Sequence, residues 1–137
     1  MSSINNIVIK KVWQDTDFLE VRISCSSENI SATANVYLTN ENLMMLHHGL
    51  IKFCNKEIDL FKWQSGDLGD DSTACVSFLF SRMDKAGHIA IDVFMEIDDG
   101  APFSKHNCCF YVFTEIGLLY SFVEKLGEQE DCSLVSS

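Results

Sequence analysis

The sequence predicts an α+β fold, with one or two mostly antiparallel, strongly curved sheets of about six to seven strands and two amphipathic helices, in the order βββα then ββββα. Three observations predict it. Apolar residues recur at every second position along most of the chain, the signature of half-buried strands. The period lengthens to helical spacing in only two places. Short clusters of Gly, Asp, Asn and Ser separate the alternating runs at hairpin length. Two helices of crossover length are too few for a parallel, doubly wound sheet.

The elements follow in order. "IVIKKVW" and "FLEVRISCS" read as strands joined by the turn "QDTD", the second strand having Leu19, Val21 and Ile23 inward and Glu20, Arg22 and Ser24 outward. After "SSEN", the run "ISATANVYLT" puts Ala32, Ala34, Val36 and Leu38 on one face, completing a meander. "NENLMMLHHGLIKFCNK" places Leu43, Leu46, Leu50 and Phe53 at helical spacing. Thr39 or Asn40 is available as its N-cap and Asn55 as its stop. Gly49 inside this helix carries a penalty of up to about 1 kcal/mol against alanine.

"EIDLFKW" resumes extended chain, and "QSGDLGDDS" is the most evident loop. "TACVSFLFSRMD" and "GHIAIDVFMEID" form a hairpin around "DKAG", with Gly87 taking a positive φ and Val76, Phe78 and Phe80 opposite Ile89, Ile91, Val93 and Met95. "NCCFYVF" is apolar on both parities, which predicts a strand covered on both sides. Thr114 is the expected cap of a closing helix striped by Leu119, Phe122, Val123 and Leu126 and ended by Gly127. The segment 128–137 reads as a frayed tail.

With 137 residues, 47% of them apolar, the chain suits a single domain spanning 1–137. The formal charge of −10 is lopsided. Residues 1–62 hold six Lys or Arg against seven Asp or Glu, and residues 63–137 hold four against thirteen. Such a field repels nucleic acid and anionic membrane and attracts cationic surfaces. "MSSINNIVIKK" lacks the basic start and long apolar run of a secretory signal, so a cytoplasmic protein is expected. The six cysteines form no CxxC pair, and most of them read as small buried residues.

The strand 88–97 poses the functional question, because Asp92, Phe94, Glu96 and Asp98 share its wet parity. Glu96 and Asp98 stand about 7 Å apart along a strand, within the range of glycosidase carboxylates. Alternating acids on strand faces are far commoner than such enzymes. Asp67, Asp70 and Asp71 do not match calcium-loop spacing and lack its distal glutamate, so a solvated turn is the simpler reading. His47 and His48 diverge by about 100° on a helix, and there is no HExxH, GxSxG, Walker or GxGxxG motif. No cofactor, metal or enzymatic activity is expected. Two readings of the acidic strand remain: a surface for a basic partner, or a layer in which Phe94 packs beneath a helix with the acids at its margin.

Three stretches carry a family likeness. In "ANVYLTNENLMMLHHGL" a strand with small inward residues enters a helix; "GHIAIDVFMEI" is a glycine followed by an alternating strand; in "CFYVFTEIGLLYSFVEKLGEQ" a strand passes through Thr-acid into a Leu- and Phe-striped helix. The chain resembles, over roughly residues 30–127, the immunity proteins of bacterial contact-dependent and polymorphic toxin systems, in particular the WapI-like group associated with wall-associated toxins. The loop "SGDLGDDS" and the cysteine content depart from that pattern. The resemblance implies a non-catalytic antidote binding one toxin domain. On the charge pattern, that domain would be basic, a nuclease being the favoured case, bound 1:1. Asp67, Asp70, Asp71, Asp92, Phe94, Glu96, Asp98, Asp99 and Phe103 are the expected interface, with Trp63 a further candidate anchor. Weak self-association stays open, as do two alternatives: a β-rich domain binding a small molecule or carbohydrate, and a hydrolase, which would need a buried carboxylate pair about 5–9 Å apart in a cleft.

Overall fold

The first described elements are β1 (Asn5–Gln14), β2 (Leu19–Ser26) and β3 (Ser31–Leu38), an antiparallel meander. A computed structural model describes residues 5–66, 74–97, 106–128 and 130–136. Alternation does in space what it promises in sequence: Leu19, Val21, Ile23 and Cys25 are buried, as are Ala34, Val36 and Leu38. Between Lys11 and Trp13 the β1–β2 register shifts by a bulge, beyond which β1 is exposed.

Helix α1 (Asn40–Cys54) starts at Thr39, whose hydroxyl accepts from the Asn42 N–H at 3.1 Å while the Asn42 side chain reaches back to the Thr39 N–H. This reciprocal pair satisfies two otherwise orphaned donors. Asn55 is the C-cap, as its sequence position suggests. Gly49 has a different meaning from the one its propensity suggests. A Cβ there would sit 2.1 Å from the Phe61 ring, so glycine is what lets β4 (Leu60–Ser65) lie against the helix.

Next come β5 (Cys75–Arg82), β6 (His88–Ile97) and β7 (His106–Glu115), then α2 (Ile116–Gly127) and β8 (Cys132–Ser136). Gly87 takes φ +98° in the β5–β6 turn, as a tight hairpin requires. The N-cap of α2 is Glu115 and not Thr114; the Thr114 side chain is buried in β7 on the core-facing parity and so cannot turn to the helix start.

Among the described residues eight strands form two antiparallel sheets of four, ordered β3-β2-β1-β8 and β4-β5-β6-β7, and the fold is α+β. The additional strand is β8, in the segment expected to fray. Its Cys132 and Leu134 are buried, and it pairs with β1 from Asn5↔Ser136 to Ile9↔Cys132. A second difference concerns β7, which is an edge strand and is covered on one face only. Phe110 and Val112 face the core, while Tyr111 and Phe113 are 54% and 43% exposed. An apolar outer face therefore means exposed aromatics here, not a covering layer.

The inward faces of both sheets share one apolar cluster with the stripes of α1 (Leu46, Leu50, Phe53) and α2 (Leu119, Phe122, Val123, Leu126). The helices pack on each other, α1 also against β3 and β4 and α2 against β7 and β8. Both bridge one sheet to the other. Arg82 fastens the end of α1: its guanidinium donates to the Phe53 carbonyl and lies 4.6 Å from the Phe53 ring centroid. Tyr120 of α2 donates its hydroxyl proton to the Cys54 carbonyl at 3.1 Å. A cation and a hydroxyl thus occupy the negative end of the helix.

Candidate partner-binding surface

The outward parity of the second sheet forms a grid of three four-residue rows and one three-residue row, fixed by strand register. Across β4, β5, β6 and β7, one row runs Leu60, Ser81, Ala90, Phe113 and the next Lys62, Leu79, Asp92, Tyr111. The third is Gln64, Ser77, Phe94, Cys109. On the last three strands a fourth row is Cys75, Glu96, Asn107. Neighbours in a row have Cβ atoms about 5 Å apart, so each row is a continuous strip of side chains.

Lys62, Gln64, Cys75, Ser77, Leu79, Asp92, Phe94 and Cys109 line a groove of about 320 Å³ on this face. Asp92 and Phe94 are half-buried on it. The Cys109 thiol donates to Asp92 Oδ1 at 3.4 Å. Burial, and then the adjoining Asp92 carboxylate, push the Cys109 thiol up from its ordinary value. Tyr111, the cross-strand partner of Asp92, stacks on Phe113 of the next row, ring centroids 6.2 Å apart and 16° from parallel.

Of the expected interface residues, Asp92 and Phe94 lie side by side in this groove, as strand parity requires. Glu96 shares their parity but is only 5% exposed and is engaged in an interaction of its own, so it is not part of an open acidic face. Parity fixes the side of a sheet, not the depth on that side. Asp67, Asp70, Asp71, Asp98, Asp99 and Phe103 lie outside the described residues. Trp63 is not a surface anchor: it points to the core at 4% exposure, stacked on Phe78, with its Nε1 donating to the Asn42 carbonyl at 2.9 Å. Sequence reasoning missed Leu79, Lys62, Cys109 and Tyr111; the signal available was the parity of each strand, but only the register sets them beside Asp92.

The first sheet has a different outer face. Lys10, Arg22 and Asn35 form one row there and Val8, Ser24 and Thr33 another. Arg22 Nε donates to Asn35 Oδ1 at 3.2 Å, and the Thr33 hydroxyl donates to Ser24 Oγ at 3.1 Å. That face carries cations and, further along, the exposed Trp13 and Tyr37 beside Glu20, whereas the groove face sets a carboxylate beside Leu79, Phe94 and Tyr111 with Lys62 at its far wall.

His88 pairs with Asp84 across the hairpin turn, Nδ1 to Oδ2 at 2.7 Å, the carboxylate also accepting from the Ala86 and His88 N–H groups. His47 and His48 have ring centroids 5.6 Å apart, and no group of three His, Cys, Asp or Glu among the described residues could hold a metal ion. Among the described residues no helix is long and apolar enough to cross a membrane. Comparison with known protein families, curated proteins and solved structures finds no match.

Proposed function

We propose that this chain is a cytoplasmic immunity protein that binds and neutralises a basic bacterial toxin domain, best fitted by a nuclease, as a 1:1 complex through the outer face of its second sheet. The observation that carries this reading is the Asp92 groove: a half-buried carboxylate set among Leu79, Phe94 and Tyr111, on a sheet face with the exposed aromatics Tyr111 and Phe113 at its edge. Apolar contact surface with a charge at its centre is the composition of a binding hot spot, because excluding water strengthens the central ion pair. The charge of residues 63–137 adds long-range steering towards a cationic partner. The likeness to toxin-immunity families supports the same reading.

Its test is co-expression with the C-terminal domain of a secreted toxin encoded beside it. Restored growth and co-purification of the two chains are expected, with tighter capture at low salt than at high salt. Absence of both rescue and co-purification would overturn the proposal. A second reading has a specific support: a groove of about 320 Å³ is of a size that holds a small ligand. A metabolite or oligosaccharide that raises the thermal midpoint of the purified chain, with no toxin bound, would favour that reading instead.

A further inference from the structure

We infer that the groove seats an arginine side chain of the toxin domain, with Asp92 receiving its guanidinium; this rests on the reading of the chain as a toxin-binding protein. The argument starts from the unfilled capacity of Asp92. An ionised carboxylate offers about four acceptor sites. Among the described residues the Asp92 side chain has one polar partner, the Cys109 thiol at 3.4 Å, and a thiol is a weak donor. The groove's own cation does not fill the deficit. Lys62 stands two strands away in the same row, about 10 Å across the sheet, and makes no ion pair with Asp92.

A half-buried carboxylate with spare acceptor capacity and apolar neighbours favours a donor that arrives with its own charge. Arginine matches the surroundings better than lysine does. Its planar fork places two parallel N–H bonds on one carboxylate, and its flat faces can lie on the Phe94 and Tyr111 rings flanking Asp92 on the grid. The compact lysine ammonium would take the charge and leave the rings uncovered. Lys62 at the far wall favours a carboxylate or carbonyl of the same partner segment.

The groove contains its own reporter. Cys109 is the one exposed cysteine of the six, so its alkylation reads occupancy beside Asp92. The experiment uses the full chain and the toxin domain of the co-expression test, with iodoacetamide as probe and peptide mass spectrometry as readout. Complex formation is expected to slow Cys109 alkylation by about tenfold or more. Asp92→Asn should weaken the complex by about thirtyfold or more, and one toxin Arg→Lys substitution should reproduce much of that loss. Should the Asn variant unfold, as judged by its thermal transition, footprinting of the unaltered chain decides alone. A complex that forms normally while Cys109 reacts at its free rate overturns the arginine seat and leaves the immunity reading standing. Equal loss with every toxin lysine and none with any arginine also overturns it. No complex at all removes both.

Discussion

Asp92 and Cys109 show how much a single cross-strand contact can set. The carboxylate raises the neighbouring thiol because removing the thiol proton would place two negative charges side by side. Asp92→Asn should therefore lower the Cys109 thiol pKa and speed its alkylation severalfold at mildly alkaline pH, read by mass spectrometry. An unchanged rate would mean the contact does not exist in solution. The other cysteines provide the background: burial pushes Cys25 and Cys132 up to about 12. Glu96 gives the opposite lesson. Being 5% exposed, it should not tolerate a lysine, and Glu96→Lys is expected to cost about 2 kcal/mol or more in a denaturant titration. Reversing Asp92 and Glu96 together is consequently a poor probe of the proposed interface, and Asp92 alone is the informative site. At His88 the hydrogen bond to Asp84, then its charge, raises the imidazole, while the same contact lowers Asp84. The pair's contribution to stability is fully present below the ordinary histidine range and fades as pH rises through the raised midpoint. On the acid side it persists until pH falls through the lowered Asp84 midpoint. Asp84→Asn should move the His88 midpoint down in an NMR titration; no movement would dissolve the assigned pair.

Among the elements, α1 was the most legible, because Thr39, Asn42 and Asn55 are local signals that act through their own backbone. Gly49 was the exception within it. Propensity treats this glycine as a loss, yet the Phe61 ring, stacked on Phe80 at 6.0 Å, occupies the space a side chain would need. Gly49→Ala should destabilise the protein by about 1–3 kcal/mol in chemical denaturation despite alanine's better helix propensity. A stabilised variant would show that β4 can retreat from the helix at no cost. The two strands misjudged from sequence, β7 and β8, share one cause. "NCCFYVF" is apolar on both parities, but which parity is covered depends on what packs against each face of the sheet. "CSLVS" is short and serine-rich, and nothing within it announces a strand; its Cys132 and Leu134 become core residues only because β1 offers a free edge. Strand pairing between chain ends is a long-range event that local periodicity does not encode.

Over the whole molecule, each sheet is a run of four antiparallel neighbours whose final strand feeds a helix: β8-β1-β2-β3 then α1, and β4-β5-β6-β7 then α2. The chain is thus a doubled ββββα arrangement with the first strand of one copy carried at the other end, a repeat that no residue-level similarity betrays. Because Asn5 and Ser136 are register partners, a permuted chain is expected to fold. That chain would have a tight turn joining these positions and an opening between α2 and β8. Circular dichroism and a single cooperative denaturant transition are the check, and a non-cooperative transition would count against the equivalence of the halves. The sequence by itself determined the α+β class, the inward parity of most strands, both helical stripes and the charge imbalance, since each follows from local spacing or composition. Tertiary structure alone decided that there are two sheets, that β8 closes the first, that Glu96 sinks while Asp92 stays reachable, and that Asp92, Phe94, Leu79 and Cys109 share one groove. Those outcomes depend on which strands pair and in what register, and residues from β4, β5, β6 and β7 become neighbours only when the sheet has formed.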